Sequence, residues 1–279
     1  MWGAHKADGR IAARNSVKIR AAIRLSIDPK QVFEEYLRTQ PYPSGDITQD
    51  RARARAWAML NVQVNREPIT AVLRKVYADG YLMGEVAAQE AISKVEKRKD
   101  KSLNKAEAYV DWSKWTPGNK ATALLLRPRG AFREFLERAG IVSKAIEKAG
   151  YDRIGTALAD SIAAGYSPAK AAKVLTEKIG DPARALTIAI TEQNRAMSAA
   201  SLFTYREAQV EEVEWNAVQP CEICAPNDGQ VVTLGQAFES GDIQPPAHPN
   251  CRCALLPVIL GMVDDPSLGQ DYLDSLAYD

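Results

Sequence analysis

A chain of 279 residues, 46% hydrophobic and 25% charged, is long enough for one or two domains with an ample core. Its longest apolar run, Ala254–Met262, contains Pro257 and is far too short to cross a bilayer, so a soluble protein is expected. The net charge of +1 conceals a division: residues 1–204 carry 34 Lys and Arg against 22 Asp and Glu, whereas residues 205–279 carry 2 against 13. That division suits two solvated faces, head-to-tail complementarity, or two partners of opposite sign.

The chain opens on a basic stretch. Residues 1–25 hold Lys6, Arg10, Arg14, Lys18, Arg20 and Arg24 against Asp8 alone, and Arg10, Arg14 and Lys18 share a face if the stretch is helical. A frayed basic arm is the expectation, with DNA or an acidic protein surface as its candidate contact. Residues 39–48 collect proline, glycine, serine and aspartate and predict a loop, which closes an N-terminal arm-and-loop region over 1–45. Helix resumes at Asp50, where Arg51 and Arg55 share a solvated face. Apolar residues recur at helical spacing from Pro68 to about Lys97, predicting a long amphipathic helix within a helical region over 46–100. Inside it, Gly80 and Gly84 are spaced for close approach of a second helix, while Arg74, Lys75, Asp79 and Glu85 exclude lipid as the neighbour.

The charge run Lys94–Lys101 marks a soft boundary, and Trp112 and Trp115 just beyond it read as a core anchor. Ala131–Ala149 predicts a helix punctuated by Gly140 and Gly150. Gly165 then ends a helix, Ser167 and Pro168 begin the next, Gly180 stops it, and Asp181 and Pro182 repeat the start. The helix begun there runs to about Ala208 and is expected to bury Leu186, Ile190, Met197 and Ala200. Glu192 and Arg195 stand three apart on its surface, where an ion pair contributes only about 0–1 kcal/mol; pinning the helix to the cysteine-rich segment beyond it is the alternative role.

Every cysteine lies between residues 214 and 258. Cys221 and Cys224 have knuckle spacing, His248 and Cys251 repeat it after 23 residues, and Cys253 is a fifth candidate ligand. Four ligands of this type with no evident open position point to a structural Zn²⁺. Two disulfides, or buried thiols acting as small hydrophobes, are the competing readings; the basic start of the chain gives no reason to expect an oxidising compartment. Gln230–Leu234 and Ala254–Ile259 predict short strands beside the ligands, a β element too small for a core of its own. Zinc-deaminase chemistry is excluded, since the only upstream histidine, His5, is followed by Lys6 and Ala7 rather than by a proton-shuttling glutamate.

The combination Cys-x-x-Cys, Asp-Gly, then Pro-Pro-Ala-His-Pro-Asn-Cys-Arg-Cys resembles the C-terminal domain of the phage Mu F-like minor head proteins. Thr191-Glu192-x-x-Arg195-Ala196 resembles a helix of that family, and Tyr205-Arg-Glu-Ala followed by Val213-Glu-Trp215 resembles its exit into the first strand. Gln209 stands near a position where the family often has glycine. The resemblance covers about residues 150–258 and is the basis for a Mu F-like domain at 101–258, followed by an acidic tail at 259–279. It implies a non-enzymatic minor head protein in several copies per virion, in contact with portal protein and major capsid protein at the capsid interior or portal, and in the host cytoplasm during assembly. Capsid maturation protease activity is a rival, but no Gly-x-Ser-x-Gly and no spare histidine accompany it. A nucleic-acid-binding zinc module is disfavoured by the acidic surroundings of the knuckles. The fold class expected is mainly α, a helical body with a small zinc-stapled β element.

Overall fold

The capped, alanine-rich segments fold as helices. The computed structural model describes residues 2–39, 43–99, 129–217 and 220–258, among which seven α-helices, one 3-10 turn and three strands are found. The helices are α1 (Trp2–Arg24), α2 (Pro29–Thr39), α3 (Ile47–Asn61), α4 (Glu67–Lys99), α5 (Arg129–Ala163), α6 (Pro168–Ile179) and α7 (Pro182–Glu207). A small antiparallel sheet lies beyond them, with β1 (Glu212–Asn216) between β2 (Val231–Thr233) and β3 (Ala254–Val258). No helix among the described residues is long and apolar enough to cross a membrane. Trp112, Trp115, the boundary placed near residue 100 and the acidic tail lie outside the described residues.

The chain divides into two compact units, each discontinuous in sequence. One gathers described residues within 15–75 and 133–186. In it, α1 buries Ile19, Ala22 and Ile23, so a packed helix stands where a frayed arm is expected from the charge pattern alone. The α2 helix likewise replaces the expected extension of that arm, burying Phe33 and Tyr36. Tyr36 meets Trp57 of α3 edge-on, ring centroids 5.0 Å apart. Asp46 caps α3 by accepting from the Thr48 amide at 2.9 Å. The pair Arg51 and Arg55 is not merely solvated: Arg51 reaches Asp160 at 2.9 Å and Arg55 pairs with Asp152, both on α5. The two helices approach closely at Gly155, where an added Cβ would lie 2.5 Å from the Arg55 amide nitrogen.

Gly140 and Gly150 do not punctuate the chain; α5 runs through both to Ala163. A helical glycine costs about 1 kcal/mol relative to alanine, and the buried Ala139, Ile146, Ile154, Ala157 and Leu158 along the same helix outweigh it. The next boundaries match the expected caps. Ser167 accepts from the Lys170 amide at 3.4 Å with Pro168 at the helix start, and Asp181 accepts from the Ala183 amide at 2.9 Å ahead of α7.

The other unit gathers described residues within 1–14, 76–132 and 187–279, and it holds the sheet. Here α4 and α7 come into backbone contact. A Cβ on Gly80 would lie 2.6 Å from the Gln193 carbonyl oxygen, and one on Gly84 would overlap the backbone of Met197. Close approach of a soluble helix is therefore what this glycine pair serves. Along α7, Ala189, Ala196 and Ala200 are buried, while Ile190 and Met197 are only partly buried and Leu186 is exposed, against expectation.

The turn out of α7 is built on Gln209, which adopts φ 56° where glycine is the usual residue. Its amide donates to Arg206 O, and the Val210 amide donates to Tyr205 O at 3.0 Å. In β1, Glu214 pairs with Val231 on one side and Leu256 on the other, and Glu212 with Thr233 and Val258. Val213 and Trp215 face the opposite way, into a core with Leu202, Tyr205, Phe238 and Leu255.

Candidate metal centre

Two short loops bring the ligands together. In the first, the amides of Cys224 and Ala225 both donate to the Cys221 carbonyl, at 3.0 and 2.8 Å, and a 3-10 turn at Ala225–Asn227 carries the chain away. The turn is fixed from inside: Asn227 is fully buried, donates to Ser240 Oγ at 2.8 Å and accepts from the Ser240 amide at 3.0 Å. In the second, the Cys251 amide donates to the His248 carbonyl at 3.2 Å, and Asn250 takes φ 66°, a conformation asparagine tolerates.

The five candidate atoms form two overlapping triads that share Cys224. Cys221, Cys224 and His248 make one, and Cys224, Cys251 and Cys253 the other, with the ligand atoms of each within 4.8 Å of one another. His248 Nε2 is 3.2 Å from Cys221 Sγ and 3.1 Å from Cys224 Sγ, and Cys224 Sγ is 3.8 Å from Cys251 Sγ. These groups are close enough to hold a metal ion. All four cysteines are free thiols, so the disulfide reading has no support in the structure.

The ring of His248 is oriented for ligation. Its Nδ1 lies 2.8 Å from the Pro249 carbonyl oxygen, which only accepts, so Nδ1 carries the proton and Nε2 turns its lone pair toward the sulfurs. Hydrogen bonding and burial together separate the thiols electrically. Amide hydrogen bonding in the knuckle, led by Cys224, draws Cys221 down. Burial pushes Cys224 up to about 12, while the hydrogen bond from Cys253 draws Cys251 down to about 5 and leaves Cys253 pushed up. Cys221 is exposed; the other three sulfurs sit in the core beside Trp215 and Phe238, whose rings meet edge-on at 5.0 Å.

Helix α7 holds the second loop by its backbone. Asn194 Nδ2 donates to Cys251 O at 2.9 Å and to Cys253 O at 3.2 Å, and the Asn250 amide donates to Thr191 Oγ1 at 2.9 Å. Tyr205 OH donates to Leu255 O at 3.0 Å, closing the outer edge of β3. Spacing within the sequence reveals none of these contacts. Glu192 is buried rather than on the surface: it accepts from Tyr77 OH at 2.6 Å on α4 and stands 3.8 Å from Arg195. The pinning expected of Glu192 and Arg195 is thus performed by their neighbours Thr191 and Asn194, while Glu192 ties α7 to α4.

The helix, turn, strands and both knuckles coincide with one known pattern. Residues 152–256 match the family model described as Phage Mu protein F like protein. The chain carries a Mu F-like domain. That domain includes Thr191, Asn194, Tyr205 and all five candidate ligands, and it marks the chain as a phage head-related protein. No curated protein and no solved structure matches the chain.

Proposed function

We propose that this chain is a structural minor head protein of a tailed bacteriophage, associating with portal protein and major capsid protein during head assembly and serving DNA packaging or delivery. The observation that carries the reading is the Mu F-like match over the segment whose helix grips the ligand loops. On this reading the chain acts in several copies, at the capsid interior or portal, without catalysis of its own. His248 itself is not placed to serve as a base, because Nδ1 is committed to Pro249 and Nε2 to the sulfurs.

The same reading assigns a structural Zn²⁺ to Cys221, Cys224, His248 and Cys251, with Cys253 as the substitute ligand. A tetrahedral ion with bonds of about 2.3 Å to sulfur sets those sulfurs about 3.8 Å apart, and Cys224 and Cys251 have that separation. Soft thiolates with one imidazole select zinc over magnesium or calcium, and the ion would fasten two loops that have no disulfide to join them.

The test is assembly with and without the chain. Purified heads should contain it, cross-links should join it to portal protein, and its deletion should reduce DNA-filled heads. A chain missing from purified heads, with normal filling in the deletion, rules the proposal out; capsid protein cleaved only in its presence would make it a protease instead.

A further inference from the structure

The outer face of the sheet and the outer face of α1 are matched in charge, apolarity and spacing. On the sheet, Glu212 and Glu214 sit in the middle strand, Glu214 flanked by Val231 and Leu256 and Glu212 by Thr233 and Val258. Neither glutamate has an ion pair among the described residues, and Val231 is 45% exposed. Burial, and then the neighbouring Asp228, push the Glu214 carboxyl up, as expected where no cation balances it.

On α1, the buried side is Ala12, Asn15, Ile19, Ala22 and Ile23. The opposite side presents Arg14, Val17, Lys18 and Ala21, with Leu25 just past the helix end; Val17 is 66% and Leu25 75% exposed. These recur at the spacing of a docking stripe. Arg14 and Lys18 form no ion pair among the described residues. One turn apart, they are separated by about 6 Å along a helix axis; Glu212 and Glu214, two residues apart on a strand, are separated by about 7 Å.

We propose that copies of this chain associate head to tail, the α1 stripe of one copy lying across the outer sheet face of the next. Arg14 and Lys18 then meet Glu212 and Glu214, and Val17 and Ala21 cover Val231 and Leu256. The two faces differ, so the contact is heterologous, and each added copy leaves one face of each kind open for the next. The contact is independent of the functional reading, since it rests on the two faces alone.

Charge reversal tests it on the full-length chain, with mass followed by sedimentation velocity over a salt series and fold followed by circular dichroism. Wild type should form oligomers at low salt and disperse as salt rises. Glu212→Lys with Glu214→Lys should be monomeric, and so should Arg14→Glu with Lys18→Glu. Mixing these two variants makes both junctions complementary again, one with the native charges and one with the charges exchanged, and should restore oligomers in which the two variants alternate. A wild type monomeric at every salt concentration overturns the proposal, as do reversal variants that associate like wild type. So does a mixture that stays monomeric while both variants remain folded, which would assign the sheet face another occupant such as portal protein.

Discussion

Replacing Asn194 by alanine removes the grip of α7 on the ligand loop without touching a ligand. Two hydrogen bonds go, the 2.9 Å bond to Cys251 O and the 3.2 Å bond to Cys253 O. A neutral hydrogen bond contributes about 0.5–1.5 kcal/mol, and a carbonyl left buried without a partner costs about 1–3 kcal/mol. Asn194 is half-buried, so water reaches part of the gap and the lower end applies, about 1.5–3 kcal/mol for the pair. At about 1.4 kcal/mol per factor of ten, and in line with the effect of changing partners behind metal ligands, zinc affinity should fall about 10- to 100-fold. Competition with a chromophoric chelator measures this directly. A control is Asp46→Ala, which removes the cap of α3 and should cost about 1 kcal/mol of stability while leaving metal affinity alone. An affinity within about threefold of wild type in a folded Asn194→Ala chain would refute the claim that α7 positions the ligand loop.

Cys221→Ser, or chelation of wild type, should release the β element, since a structural zinc contributes about 10 kcal/mol or more to folding; hydrogen exchange should rise across residues 212–258 and little across α5 and α6. Gly84→Ala should lower the denaturation midpoint despite its better helix propensity, because the new methyl meets the Met197 backbone; about 1–3 kcal/mol of overpacking is the expected loss, and a gain in stability would contradict the close crossing. Glu214 and Asp181 should oppose each other in pH dependence. The raised carboxyl of Glu214 stabilises the fold below the ordinary glutamate range and loses this as pH rises through its folded value, so Glu214→Gln at high salt should be the more stable form near neutrality. At Asp181, burial is outweighed by Arg153 and the amides of Arg184 and Ala183, so its carboxyl is held down and its stabilisation disappears as pH falls through that lowered value.

Local signals in the sequence translated well where they act on a few residues of backbone. Ser167 with Pro168, Gly180, and Asp181 with Pro182 set helix boundaries because caps and prolines work without tertiary help. Gly140 and Gly150 misled because their modest helix penalty is set against burial elsewhere on α5. Cys221, Cys224, His248, Cys251 and Cys253 were legible from spacing and do converge. Thr191 and Asn194 were not, because an amide meeting a carbonyl 57 residues away leaves no periodic trace. The one available signal was the Thr-Glu-x-x-Arg-Ala pattern itself, which frames both residues while drawing the eye to the charged pair.

The contact of α7 with Gly80 and Gly84 bears on how this protein can be cut. The family match begins at residue 152, yet the surface that α7 needs lies on α4, well upstream of that boundary. A recombinant fragment taken at the match boundaries would therefore strip the backbone of Gln193 and Met197 of its cover and leave Glu192 without its tyrosine partner. Such a fragment should precipitate or self-associate, whereas supplying residues 67–99 as a separate peptide should restore solubility. The unit of heredity recognised in the sequence is shorter than the unit that folds.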